Sequence, residues 1–380
     1  FHGGLRLRHN KKISCQDPVV RPPLPEQLVV PLKQHMGAIA VARVSPGDHV
    51  LKGQLIGSCD SAHRNEVHAP TSGEVLAVEE RGMAHPSGLP GPCVIIRPDG
   101  KDQWCELHGM DDWRNAEPTE LIQAVQAAGI VGLGGAVFPT HRKAASGNQS
   151  GIHTLILNGA ECEPYISCDE MLMRERPDQM VLGAKILQRA AGAERTIIAI
   201  EDQMGAVQKA LENAIEASHE RWGASDIQIV KIPSIYPEGG ERQLIQVLTG
   251  QEVPADGLPS DIGLLVQNVG TAAAVAAAVT EGKPLLERYV TVTGNGVSHP
   301  RKFLALFGTP IRHLVEHSGG YTEGVERIVI GGPMMGYGIS NDQEPVVKAS
   351  NCILVLTGED VRPPQAEMPC IRCGECARVC

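Results

Sequence analysis

Four of the eleven cysteines fall within the last eleven residues: Cys370, Cys373, Cys376 and Cys380, spaced C-x2-C-x2-C-x3-C. The other seven (Cys15, Cys59, Cys93, Cys105, Cys162, Cys168 and Cys352) share no repeated spacing. A cluster beside scattered singles reads as a metal or cluster site in a reducing compartment rather than a disulfide framework. Thiolates at this spacing can curl around the corners of a cubane, with Gly374 letting backbone amides point at sulfide. The run matches the one that holds [4Fe–4S] clusters in bacterial ferredoxins. Zinc is the alternative, although zinc sites usually separate two C-x2-C pairs by a longer arm. In two-cluster ferredoxins the fourth cysteine of such a run serves the other cluster. The expectation is therefore that Cys370, Cys373 and Cys376 hold one cluster and Cys380 the other, with the partner run lying downstream.

A chain of 380 residues allows two to three domains at roughly 150 residues each. The formal charge of −10 and pI near 5.8 argue against a nucleic-acid partner, which should meet a basic face. The longest near-apolar window, Val269 to Val279, is too short to span a bilayer. With 42 Gly against 3 Trp, 5 Tyr and 4 Phe, the composition favours loops whose backbone closely approaches something over stacking platforms.

Along the chain the hydrophobic period changes twice. The first part reads as short strands cut by Pro46–Gly47, Gly53 and Pro70. It resembles a lipoyl-type barrel-sandwich, but the modifiable lysine of such domains would fall near Ala62, and no lysine lies between Cys59 and His68. A structural barrel without a swinging arm is expected. From about Glu117, helices and strands alternate: ELIQAVQAAG, HTLILN, Pro177 to Gly192, RTIIAIE, Gln203 to His219, IQIVKI and Gly240 to Gly250. That alternation predicts a parallel sheet with ligands at its carboxyl ends. After Gly282–Lys283–Pro284 the pattern of YVTVTG, a helix near Pro310 to His317, and RIVIGGP resembles a small β-grasp unit. The expected division is a barrel-sandwich over residues 1–112, a Rossmann-like α/β domain over 113–285 and a β-grasp domain over 286–345. A linker and the start of a ferredoxin-like helical module would fill 346–380.

Several loops carry chemistry. GIVGLGGAVFPTHRKA, Gly129 to Ala144, is a glycine-rich loop in which Gly132, Gly134 and Gly135 would let backbone N–H groups approach a phosphate or an isoalloxazine edge, with Lys143 to neutralise the phosphate. ILNGAECEPY places Asn158, Glu161 and Glu163 just after a strand, where carboxylates suit ribose hydroxyls and would repel a 2′-phosphate. A solvated acidic loop is the plain alternative. YPEGGERQL and LLVQNVGTAAA add polar groups in glycine-containing loops at element ends.

In that order the segments resemble the flavin- and NADH-binding subunit of respiratory complex I, and more closely the RnfC family of the Rnf electron-transport complex. GIVGLGGAVFPTHRK, NGAECEPYISCDE, YPEGGERQLIQVLTG, DIGLLVQNVGTA, RKFLALFGTPIRHL and CIRCGECARVC all match, as do PLKQHMGA and VHAPTSG. The resemblance covers nearly the whole chain. It implies non-covalent FMN, NAD(H) bound over the flavin, and two [4Fe–4S] clusters. Carried over by motif, FMN would meet Gly132, Gly134, Gly135, Lys143, Asn158, Glu161, Cys162, Tyr236, Gly239, Glu241, Asn268 and Thr271. NADH would meet Phe138 and Glu163. Departures from the complex I pattern are Leu133 where an arginine is usual, Val137 where a glycine is usual, and Gly240–Glu241 in place of an acidic pair. The implied function is electron input between NAD(H), FMN and iron–sulfur clusters, an NADH:ferredoxin oxidoreductase activity with ion translocation in other subunits. The implied partners are those Rnf subunits and, through them, ferredoxin; the implied place is peripheral, on the cytoplasmic face of the bacterial inner membrane. No protein side chain is required as a catalytic acid or base. A diaphorase subunit of a soluble NAD-linked enzyme and a flavin-free quinone-binding or assembly subunit stay open.

Overall fold

Apolar runs too short for helices and punctuated by proline and glycine can close only as strands. In the computed structural model, which describes residues 3–15, 17–59, 64–361, 366 and 368–379, they do so in two facing sheets. β1 (Leu28–Pro31), β3 (His49–Val50), β6 (Gly73–Gly82) and β7 (Pro90–Pro98) form an antiparallel sheet in the order β1-β7-β6-β3. β2 (Val41–Ala42), β4 (Leu55–Ser58) and β5 (Val67–His68) form the other. Leu28, Val30, Ile56, Val75 and Ile96 fill the space between. Ala62, where a carrier lysine would fall, lies outside the described residues.

The second unit alternates as its periodicity predicts. α1 (Pro118–Ala127) opens on a capping box between Glu117 and Glu120 with Pro118 at its first position. Then follow α2 (Thr140–Ser150), β8 (Thr154–Gly159), α3 (Cys168–Glu175), α4 (Pro177–Ala191), β9 (Arg195–Glu201), α5 (Gly205–Trp222), β10 (Ile227–Ile232), α6 (Glu241–Thr249), β11 (Leu264–Asn268) and α7 (Val269–Glu281). The four strands are parallel, in the order β10-β9-β8-β11. Side chains alternate between its faces: Leu155 and Leu157 join the core under α4 and α7, while Ile156 joins Leu244 and Ile245 of α6.

Three helices depart from what the sequence pattern predicts. α2 takes up Thr140 to Ala144, expected in the glycine loop, because polar THRKAASGNQS carries no apolar stripe to announce it. α3 is short. α7 takes up Val269 to Ala274, expected as loop, because its run of alanines is intrinsically helical and Asn268 caps it.

In the third unit β12 (Glu287–Thr293), β13 (Arg301–Leu306), α8 (Ile311–Glu316), β14 (Val325–Ile330), β15 (Tyr337–Ile339) and β16 (Cys352–Thr357) give the sheet order β13-β12-β16-β14-β15, with β12 and β16 parallel. β16 lies between β12 and β14, and Cys352, Ile353, Leu354 and Val355 are all fully buried. Residues 346–361 are therefore part of this unit rather than the linker expected from 346. The arm beyond it carries the cysteines and ends in α9 (Glu375–Val379). Among the described residues no helix is long and apolar enough to cross a membrane.

The segment before β1 belongs to no single unit. Leu5 pairs with Tyr236 through two backbone hydrogen bonds, of 2.7 and 2.9 Å, and Val20 bridges to Phe303.

Candidate functional site

From β8 the chain proceeds to β9 and β10 on one side, then returns to place β11 on the other. The direction of winding reverses between β8 and β11, and in open α/β sheets ligands bind beyond the strand ends at such a point. Asn158 and Asn268 stand there side by side, in register. The Asn158 amide donates to the Gly239 carbonyl at 2.8 Å, and its oxygen accepts from Ala160 N–H. The Asn268 oxygen accepts from Gly270 and Thr271 N–H at 2.8 and 3.3 Å, capping α7. Its amide donates to Asp169 Oδ2 at 2.6 Å.

Over these strand ends lies the loop from Gly129 to Pro139. Gly132 N–H closes it onto the Phe138 carbonyl at 2.9 Å. Leu133 N–H bonds to Thr271 Oγ1 at 2.9 Å, and the Leu133 carbonyl accepts from Arg288 at 3.1 Å. Thr271 is fully buried, so its hydroxyl staples the loop to α7 rather than reaching outward. Val137 has φ 45°, a conformation a β-branched residue rarely takes. The loop's root is shared: Gly129 O accepts from Asn65 of the barrel at 3.1 Å and from Lys348 of the third unit at 2.6 Å. Burial lowers the Lys348 amine to about 7.

Gly134, Gly135 and Ala136 form an exposed tip. Gly132 and Gly134 have no positive φ. A β-carbon would come no nearer than 3.7 Å to other atoms at Gly132 and 3.6 Å at Gly134. Neither the backbone nor the packing needs glycine at these two positions. Lys143, in the first turns of α2, meets Glu241 at the start of α6, with 2.9 Å between Nζ and Oε1 and both side chains part-exposed. Residues expected from the flavin-type motifs are thus gathered from four separate segments of chain.

The opposite lip is packed shut. Glu161 is 7% exposed and turns inward, not toward a ribose. Its carboxylate accepts from Asp169 N–H at 2.9 Å, Glu170 N–H at 3.3 Å and the Cys168 thiol at 3.2 Å, capping α3. Burial pushes it up to about 7, with Lys11 opposing and Asp169 adding to the rise. Burial also raises Asp169. Lys11 Nζ reaches Glu161 Oε2 at 3.9 Å and Glu201 Oε2 at 3.4 Å; burial works against its charge, yet the carboxylates, Glu161 foremost, prevail and raise its pKa. Cys162, driven by burial to about 11, packs under Gly239, where a β-carbon would stand 2.8 Å from Ala160 O and 3.0 Å from Sγ. Tyr236 is held by its backbone pairing with Leu5, and Phe138 is half-buried in the loop. Glu163 accepts from Met334 N–H at 3.1 Å and Met335 N–H at 2.7 Å, and burial raises its pKa.

Lys11, Asp169, Arg288 and Lys348 are not signalled by the sequence pattern. Lys11 is 150 residues from Glu161, and no local pattern announces such a partner. Glu161, Cys168 and Asp169 are the one set of potential metal-binding side chains found together among the described residues. Their mutual hydrogen bonds make a closed network rather than a cation cage.

Cys370, Cys373 and Cys376 are exposed free thiols; Cys380 lies outside the described residues. Between the first and third thiols, Arg372 (φ 57°) and Gly374 (φ 76°) both turn left-handed. The donor set fits an iron–sulfur cluster.

Family models match in three stretches: an RnfC barrel sandwich hybrid domain over residues 1–101, a Nuo51 FMN-binding domain over 125–277 and an SLBB domain over 289–338. The chain is 46% identical over 380 residues to the RnfC-type subunit of the ion-translocating oxidoreductase complex of Pseudomonas aeruginosa, covering all of this chain and 48% of that protein. To its counterpart in Rhodobacter capsulatus it is 42% identical over 382 residues, covering 72% of it. It spans about half the length of several such relatives, Vibrio cholerae's included. A crystal structure of an NAD+-reducing [NiFe]-hydrogenase shares the fold, with a TM-score of 0.55 at 21% identity over 65% of this chain and 48% of that one. The chain belongs to the RnfC family of the ion-translocating oxidoreductase complex.

Proposed function

We propose that this chain is the electron-input unit of such a complex, exchanging electrons between NAD(H) and iron–sulfur clusters through FMN held at the reversal between β8 and β11. The observation that carries this reading is the pair Gly132 and Gly134, whose missing side chains serve neither backbone nor packing but leave room for a bound group to approach the main chain. FMN bound there would accept a hydride from NADH and release its electrons singly to the clusters.

The chain's own groups bind and orient. Lys143 exchanges Glu241 for the flavin phosphate. Glu163 takes part in dinucleotide binding only by giving up the N–H groups of Met334 and Met335, so that loop moves when NADH arrives. Cys370, Cys373 and Cys376 hold one [4Fe–4S] cluster, and Cys380 serves a second in a ferredoxin-like module. The working units are the barrel to about residue 112, the flavin unit over 113–285, and a β-grasp unit reaching to about 361. Ferredoxin exchanges electrons with the assembly through other subunits, which also carry the ion translocation. This chain sits peripherally on the cytoplasmic face of the inner membrane.

Anaerobic reconstitution with FMN, ferrous iron and sulfide followed by NADH titration tests the reading. Stoichiometric FMN that bleaches on NADH addition, with cluster reduction after it, is the expected result. A correctly folded chain that retains neither FMN nor iron would overturn it.

A further inference from the structure

Behind the glycine loop, where the three units meet, lies a cavity of about 350 Å³. That volume suits a small organic ligand. None of the residues assigned above to FMN or NADH lines it. One wall is the face of α7 at Ala273, Ala274 and Ala277, whose small side chains leave the space open; facing it are Leu286, Tyr289 and Leu304. The barrel contributes Trp104, whose ring is approached by Lys52 at 4.8 Å and Lys283 at 5.8 Å.

Charge decides what kind of ligand fits. Five cationic side chains line the cavity against three acidic ones. Most of these charges are already satisfied: Arg21 pairs with Glu287, Lys283 with Glu281, and Lys52 with Asp102 outside the cavity. Asp169 is held by Asn268. Arg288, 4% exposed, directs its N–H groups to the carbonyls of Leu133, Tyr289 and Lys348, and its charge acts on the Asp169 carboxylate across the same wall. Arg176, at the junction of α3 and α4, lies over the Tyr289 ring at 5.6 Å and forms no side-chain hydrogen bond or ion pair among the described residues. A half-buried guanidinium with all its donors free, beside an apolar wall and a second buried guanidinium, is a receptor for an anionic group.

We propose that this cavity binds a small organic anion, a carboxylate or phosphate on an apolar or aromatic body, with Arg176 taking the anionic group and the α7 alanines taking the body. The occupant would touch Leu133, which lines the cavity and is also the centre of the glycine loop. The site is thus placed to sense that loop from its back.

The test uses the whole chain without FMN, titrated with 8-anilinonaphthalene-1-sulfonate, an aromatic anion whose fluorescence rises on apolar contact. The expected result is saturation at one probe per chain and competition by phenyl phosphate and by benzoate. Arg176→Gln should weaken the probe at least tenfold. Ala274→Phe, which fills the cavity and leaves its charges, should abolish the saturable signal. Lys143→Ala should leave it unchanged. Thermal unfolding of each variant serves as the folding control; if Ala274→Phe unfolds, Arg176→Gln decides the matter. Probe binding indifferent to Arg176→Gln, or displacement of the probe by FMN, would overturn the proposal. Competition by inorganic phosphate as strong as that by phenyl phosphate would also overturn it, since the apolar body would then contribute nothing. Loss of FMN binding in the native chain would count against the flavin reading alone.

Discussion

The two lips of the groove are built on opposite terms. On the strand-end side Lys11 is wedged between Glu161 and Glu201 with its side chain 8% exposed, and Gly239 has no room for a β-carbon. On the loop side Lys143 and Glu241 meet with 28% and 40% of their side chains exposed, and Gly134 has room to spare. The same residue types do different work. In the first place a lysine and a glycine complete the fold; in the second the fold is indifferent to them, which leaves them free for the proposed flavin.

That contrast can be broken by measurement. Lys11→Met should have the largest effect: it strands two buried carboxylates, a loss of about 3–5 kcal/mol for a broken buried pair, read as a lower urea midpoint. Gly239→Ala should follow, since overpacking of a tight site costs about 1–3 kcal/mol. The carboxyl of Glu161 sharpens the picture through pH. Its folded value near 7 lies above the ordinary 4.5, so its contribution is fully present below about pH 4.5 and is lost as pH rises through 7. The wild-type midpoint should therefore fall relative to that of Glu161→Gln between pH 5 and pH 8; parallel profiles would mean that the carboxyl is not held neutral. Lys143→Ala should lower stability by less than about 1 kcal/mol, as expected of an exposed pair, while weakening FMN about tenfold, in line with a lost charge-assisted bond. Smallest in stability is Gly134→Ala, within about 0.5 kcal/mol of wild type, but with FMN retention lost in equilibrium dialysis. If Lys143→Ala or Gly134→Ala unfolded the chain as Lys11→Met does, the distinction between the lips would be gone.

What can be read from the sequence follows the range of the interactions. β9 and β10 are legible to the residue as RTIIAIE and IQIVKI because period and turn chemistry are local signals. α7 is hidden because alanine on every side leaves no stripe to detect. β16 is hidden because a short run after a proline-flanked loop gives no hint that it enters the middle of an earlier sheet. The candidate residues are legible as motifs, but the inward turn of Glu161 is not, since it depends on Lys11 and on the start of α3. The glycine surplus also divides on inspection. Gly192 and Gly250 end helices in the left-handed region, whereas Gly132 and Gly134 have room beside them and no positive φ.

The carbonyl of Gly129 receives one hydrogen bond from the barrel and another from the third unit. Family boundaries divide this chain into modules, but that oxygen does not respect the division. The loop's starting point is set jointly by all three units, so the middle one cut out alone would keep its sheet and lose the anchor of its ligand loop. Recombining parts between relatives therefore requires transplanting Asn65 and Lys348 together with the segment they hold. In this protein modularity is a property of descent, whereas the binding geometry is held in common.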